Sequence, residues 1–399
     1  MFLFMNMIGI FVFLGIAVLF SKKRHEIRWR SACVLFVLNL VLAGFLMGFE
    51  AGRRCVRLAA DGFHALIQIA FSGIAFVFPD WVNVPQMNFF TAVLLPILFI
   101  VPLFDILTYF GILPFLIRWV GKGLSCITGA PKFEAFFSIE MMFLGNSEAL
   151  AVSKFQLSRM KADRCLTVGL MSMSCVTAPV VASYTQLMPP AYVLAAIPLN
   201  VVNALLVSSI LHPVKIAPEE DIAVTIRTDD AECEPFFSYL ANSILSAGRL
   251  VLIIGANVIA FVALAKFLDV CLGAVYAGLS LETILGCILF PFAWLMGLSA
   301  SEAFQIAQYM GEKLITNEFV VMLSLKDVIH TYSPHVQAVL TVFLTSFANL
   351  TTIGILLGTF RTLVDTSRHE LIARNVAYLA LAGLLVSLLS AAMAGLFVW

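Results

Sequence analysis

Apolar runs long enough to cross a membrane recur along this chain, near residues 2–20, 31–49, 90–111, 164–187, 191–211, 249–268, 334–360 and 373–398, with short polar connections between them. A helix needs roughly 20 apolar residues to cross about 30 Å of hydrocarbon. The pattern therefore predicts eight membrane-spanning helices. Four other apolar stretches, at roughly 59–79, 113–157, 235–248 and 280–326, are interrupted by charge, glycine or proline and do not read as simple spans. Lys22, Lys23 and Arg24 follow the first run instead of preceding it. That order is the reverse of a secretory signal and predicts a retained first span that begins outside.

Two of the interrupted stretches share a design. Residues 131–154 read PKFEAFFSIEMMFLGNSEALAVSK, and residues 299–326 read SASEAFQIAQYMGEKLITNEFVVMLSLK. Each is polar at both ends and carries an acidic knot in its middle, Gly145-Asn146-Ser147-Glu148 in one and Thr316-Asn317-Glu318 in the other. On a straight helix the knot would sit at mid-membrane, where a carboxylate costs at least ~3 kcal/mol. A re-entrant hairpin facing a watery cavity avoids that cost, because irregular backbone at membrane depth is tolerated there. Each stretch is followed by a span with a broken middle. The first break is predicted between Met171 and Val180, where Pro179 removes a backbone donor. The second lies between Ser346 and Gly354, a polar and β-branched interruption ending in glycine. Hairpin followed by broken helix thus occurs twice, which predicts an inverted repeat with a midplane binding site, as in secondary transporters.

Charge distribution sets the orientation. With both termini outside, eighteen of the 24 Lys and Arg residues fall on the inner side, as the positive-inside rule requires. The first hairpin then enters from inside and the second from outside. The one sizeable hydrophilic loop, Pro213 to Pro235, is placed in the cytoplasm, and both ends in the periplasm of an inner-membrane protein.

Composition agrees. The 399 residues are 61% hydrophobic and 12% charged, with a mean hydropathy of +1.00, more apolar surface than a soluble core can hide. Equal numbers of basic and acidic residues, 24 each, give no bulk attraction to nucleic acid. The 8 cysteines form no C-x-x-C pair, so no metal or redox cofactor is expected. His25-Glu26 and His369-Glu370 begin like a zinc-protease motif, but Trp29 and Ala373 stand where its second histidine is needed. Neither an intramembrane enzyme nor an open channel accounts for paired intramembrane acids in inverted halves. A carrier does. Asp105 and Glu140 stand outside the motifs, and structural roles are expected for them.

Three segments carry a family resemblance: GNSEAL at Gly145–Leu150, GEKLITNEFV at Gly311–Val320, and SFANLTTIGI at Ser346–Ile355. In order and spacing they resemble the signature segments of the concentrative nucleoside transporters, approximately GQTEAPL or GQSEN, GxKLxxNEFVA, and GFANFSSIGI or SFANFSSIGI. The similarity runs over nearly the whole chain and is greatest to the bacterial proton-coupled nucleoside permease branch. It implies an all-α membrane protein of about eight spans with two re-entrant hairpins, assembled as a homotrimer, each protomer having a scaffold part and a mobile transport part. It also implies that Glu318, Asn349 and Thr352 hold the ribose hydroxyls, with Phe347 packing beside them, and that Asn146, Ser147, Glu148 and Val180 line the base. Asn146 replaces the usual Gln, Thr352 replaces Ser, and the Pro of the EAPL form is missing. The expected substrates are pyrimidine nucleosides, with purine nucleosides left open and a nucleobase as the alternative solute.

The chemistry of these residues suits that placement. A carboxylate, a carboxamide and a hydroxyl match the vicinal hydroxyls of a ribose. An aromatic or aliphatic wall with one short amide or hydroxyl suits a base. In sodium-coupled relatives the resemblance assigns the ion to positions that here are Met141 and Cys175, assisted by the carbonyls of Leu144 and Val176. Thioether and thiol are soft ligands, and sodium is a hard cation. The site reads as dismantled, so proton symport is expected, with Glu148 and Glu318 as the candidate proton carriers and sodium symport as the alternative. The implied organisation is N-terminal scaffold helices (1–58), an interfacial helix, third span and connecting helix (59–130), and the first hairpin and broken helix (131–212). There follow a cytoplasmic loop, interfacial helix, sixth span and connecting helix (213–298), then the second hairpin, broken helix and last span (299–399).

Overall fold

The computed structural model describes residues 2–84, 86–216, 221, 234–276 and 279–399, with the side chains of residues 146, 147 and 275 excepted. Most of the loop expected between residues 213 and 235 lies outside the described residues. Among the described residues the regular structure is helical throughout.

The chain opens with α1 (Phe2–Leu19) and α2 (Trp29–Ala43), which continues through a wide turn at Gly44–Gly48. Next come α3 (Glu50–Val77), the short α4 (Pro79–Val82), α5 (Ile97–Tyr109) and α6 (Ile112–Thr128). The first hairpin candidate is α7 (Lys132–Leu144) and α8 (Asn146–Val152), joined at Gly145 and followed by α9 (Lys154–Arg159). The first broken helix is α10 (Ala162–Ser172) and α11 (Ala178–Tyr184). After α12 (Pro190–Leu211) come α13 (Phe236–Val275) and α14 (Leu281–Trp294). The second hairpin candidate is α15 (Ala300–Ile315) and α16 (Glu318–Leu325), and the second broken helix is α17 (Pro334–Leu344) and α18 (Leu350–Leu363). The short α19 (Thr366–Ala373) and α20 (Val376–Gly395) close the chain.

The doubled order of helix pair and broken helix is thus present. The first break covers residues 173–177. Pro179 falls just beyond it, in the first turn of α11, where a missing N–H leaves no bond unmade. The second break covers residues 345–349, and Gly354 lies inside α18. The polar half of the predicted interruption therefore unwinds and the glycine half stays helical. Local chemistry fixes the restarts: Ser299 and Glu302 form a capping box at α15, and Asn317 and Asn349 cap α16 and α18.

Seven described helices are long and apolar enough to span a bilayer. They match six of the eight predicted runs and add α3; the other two runs are the broken helices. The expected interfacial stretch 235–248 and span 249–268 are one helix, α13, of 40 residues. At 1.5 Å per residue it is about 60 Å long.

The core gathers on α12 and α20, of whose span windows 89% and 67% are buried, against 6% for α13. Asparagines stitch α12 to its neighbours. Asn39 of α2 donates to the Leu199 carbonyl at 3.2 Å, Asn200 to the Thr345 carbonyl at 2.5 Å, and Asn203 to Ser390 Oγ at 2.9 Å. In an apolar medium, where burial of greasy surface drives little helix association, such bonds define which faces meet. One of them ends on the second break itself.

Candidate functional site

Glu318 is the first residue of α16, set there by Asn317, whose side chain accepts from the Val320 N–H at 3.1 Å. Glu318 is buried, and two donors hold its carboxylate. Tyr184 Oη donates to Oε1 at 2.7 Å and Asn349 Nδ2 to Oε2 at 2.8 Å. Asn349 has a second duty as the cap of α18, its Oδ1 accepting from the Thr352 N–H at 2.8 Å. Thr352 is buried in the first turn of α18, and the Phe347 ring is half-buried in the break before it. The N-terminal ends of α16 and α18 therefore both start beside one carboxylate, which their partial positive charge favours.

The first repeat meets this cluster from the other side. Tyr184 closes α11, four residues after the buried Val180, and its ring stands edge-on to Phe319 with centroids 4.9 Å apart. Gly145, at the turn of the first pair, has φ +93°, and a Cβ there would stand 2.5 Å from Thr177 Cγ2 and 3.0 Å from Glu148 Oε2. Glycine lets that tip close on the first break in a conformation L side chains rarely adopt. Glu148 is exposed, folded back over the tip, and α8 packs on α18. The Asn146 and Ser147 side chains lie outside the described residues. Both breaks also press on α20. A Cβ on Gly383 would stand 2.9 Å from Ala348 Cβ and 3.2 Å from Met173 Cβ.

Of the residues singled out in the sequence, the structure brings Glu318, Asn349 and Thr352 into one bonded cluster. Met141, Cys175 and Val176 are buried in the common core, with Leu144 half-buried at the end of α7. Cys175 Sγ lies 3.8 Å from the Met171 carbonyl. Glu140, on α7 in the first helix pair, is buried, its Oε2 accepting from Ser153 Oγ at 3.2 Å. Two participants escaped the sequence reading. Tyr184 was signalled only by sharing a helix face with Val180 at a spacing of four. Lys313, inside the second motif, is wholly buried, its Nζ donating to Ser346 Oγ at 2.7 Å and to the Phe343 carbonyl at 3.2 Å.

Comparison with known proteins matches residues 192–395 to the family described as Na+ dependent nucleoside transporter C-terminus and residues 8–81 to its N-terminus. The purine nucleoside transport protein NupG of Bacillus subtilis is 45% identical over 399 residues, covering all of both chains. This chain belongs to the concentrative nucleoside transporter family. The nucleoside permease NupC of Helicobacter pylori is 28% identical, over 98% of this chain and 97% of its own. The solved structure of the nucleoside transporter relative CNTnw in an inward-facing, substrate-bound state superposes with a TM-score of 0.91 at 27% identity, covering 100% of this chain and 98% of that one. A doubly substituted variant of CNTnw in an outward-facing state gives 0.92 at 26% identity, covering 100% of this chain and 99% of that one. The protein is thus a multi-pass nucleoside transporter with the concentrative fold, and not an enzyme.

Proposed function

We propose that this transporter takes up ribonucleosides by proton symport, holding the ribose at Glu318, Asn349 and Thr352 and the base between Phe347, Val180 and the tip residues Asn146, Ser147 and Glu148. The observation that carries the reading is the bonding of Glu318 to a donor from each repeat. A sugar hydroxyl that enters between the carboxylate and its two donors exchanges bonds of the same kind, so little is lost on desolvation. The Thr352 hydroxyl makes no hydrogen bond among the described residues, which leaves it for the ligand. Since NupG is named for purine nucleosides, purine ribonucleosides join the pyrimidine ones as candidate substrates.

Proton coupling rests on Met141 and Cys175, which give a hard cation no side-chain oxygen, and on carboxylates at both tips. The family description favours a second reading, sodium symport. We place the protein in the inner membrane as a homotrimer, with α3 lying along the interface as the interfacial helix, both ends periplasmic and the two helix pairs re-entrant. In proteoliposomes with potassium on both sides, an inward proton gradient should accumulate uridine or adenosine, and a protonophore should abolish it. Accumulation driven by a sodium gradient at constant pH would establish the second reading instead. A panel of uridine, cytidine, adenosine, inosine, guanosine and the free bases sets the specificity, and equal competition by uracil and uridine would mark a nucleobase carrier.

A further inference from the structure

We propose that Lys313 is a tethered cation of the second repeat, positioning the α17–α18 break, and with it Asn349 and Glu318, for nucleoside binding; this rests on the site reading above. The two repeats can be aligned by their helix restarts. Gly145 and Asn317 precede α8 and α16, and Thr177 and Asn349 precede α11 and α18. Four residues before the first pair stand Met141 and Lys313. Three before the second pair stand Ser174 and Ser346. All four are buried to the same degree, with no measurable exposure. In the first repeat the counterpart of the lysine is a thioether, and the Ser174 hydroxyl has no partner among the described residues. In the second repeat the ammonium meets the serine at 2.7 Å.

The acceptors around Nζ match an ammonium. Two are oxygens, Ser346 Oγ and the Phe343 carbonyl, and the Phe343 ring centroid lies 4.7 Å away. An ammonium within about 6 Å of an aromatic ring centroid, over its face, is the cation–π arrangement. The Phe343 carbonyl belongs to the last turn of α17, the partly negative end of that helix. The contacts then continue as a chain. Lys313 donates to Ser346 Oγ, which stands 3.3 Å from the Phe343 carbonyl and 2.6 Å from Ser387 Oγ, where either hydroxyl can donate, and Ser387 Oγ stands 2.9 Å from the Gly383 carbonyl. Gly383 is the residue against which both breaks rest. The chain of bonds therefore joins the second hairpin to the unwound segment and to the wall shared by the two repeats. Because the charge is covalently attached, this half of the site is organised whatever cation the medium supplies.

The test measures adenosine and uridine binding calorimetrically on purified full-length protein, in choline chloride and in methylammonium chloride. Unaltered protein should bind equally in both salts; if it binds neither nucleoside, the site reading falls and this inference with it. Lys313→Ala should bind about tenfold or more weakly in choline, through loss of a buried charged donor, and recover in methylammonium, which fits the vacated space. Undiminished binding in choline would overturn the proposal. So would a folded variant whose lost binding methylammonium does not restore, since a merely structural lysine has no use for a free cation. If Lys313→Ala does not fold, Ser346→Ala decides: it keeps the charge, removes its hydroxyl acceptor, and should weaken binding severalfold. Unchanged affinity there would also overturn the proposal.

Discussion

Glu318 is held as an acceptor by two donors, and this makes its neighbours separable by substitution. In Glu318→Gln one of the two donors must face an amide N–H instead of an oxygen, and nucleoside uptake per molecule of transporter should fall more than about tenfold, a loss of ~1 to 3 kcal/mol. Tyr184→Phe keeps the ring against Phe319 and removes one donor, so it should weaken uptake by about threefold to tenfold with expression unchanged. Asn349→Ala removes a cap as well as a donor. Asn349→Asp retains the cap but sets two buried carboxylates side by side, so it should abolish uptake and lower thermal stability at neutral pH at least as much as Asn349→Ala does. Radiolabelled adenosine and uridine uptake, with melting of purified protein, checks all four; a transport-competent Asn349→Asp would exclude the amide from binding. Glu318 and Asn349 were legible in the sequence because polar residues inside an apolar run are costly and therefore conspicuous. Tyr184 was not. Its partner is 134 residues away, and tyrosine at a helix end reads as ordinary packing.

The helix pairs and breaks were visible in advance for the same reason, since each carries charge or hydroxyls where a span wants hydrocarbon. The ends of the breaks were less legible, because Pro179 and Gly354 look like breakers and both are accommodated in helix. The boundary that Gly248-Arg249 suggests is absent, and α13 runs through it unbroken. One glycine costs only ~1 kcal/mol in a helix, too little to interrupt 40 residues. Tertiary pairing was invisible at this scale. Arg164 of α10 donates twice to Glu134 of α7, at 2.7 and 2.8 Å, both side chains being buried. The pair locks the first hairpin to the first broken helix. Arg164→Met leaves a buried carboxylate with fewer partners and should destabilise by ~3 to 5 kcal/mol, whereas Arg164→Met with Glu134→Leu should recover most of that. Melting midpoints in detergent measure the difference, and a double variant no better than the single one would contradict the pairing.

For the molecule as a whole, the repeat order predicted the architecture, and superposition on relatives in both inward-facing and outward-facing states gives TM-scores of 0.91 and 0.92. The sequence could not show that the two halves share a wall. They do so at Gly383, where one added methyl group meets Ala348 from the second break and Met173 from the first. Gly383→Ala should therefore depress nucleoside uptake strongly, through overpacking of ~1 to 3 kcal/mol. In genetic language, the position should have a short list of suppressors. Cells that depend on this carrier for nucleosides and bear Gly383→Ala should regain growth through changes that make room, Ala348→Gly first and smaller residues at 173 second. Revertants scattered evenly over the chain would show that the wall is not shared. Revertants gathered at 348 and 173, residues 175 positions apart in sequence, would map the contact between the repeats by selection alone.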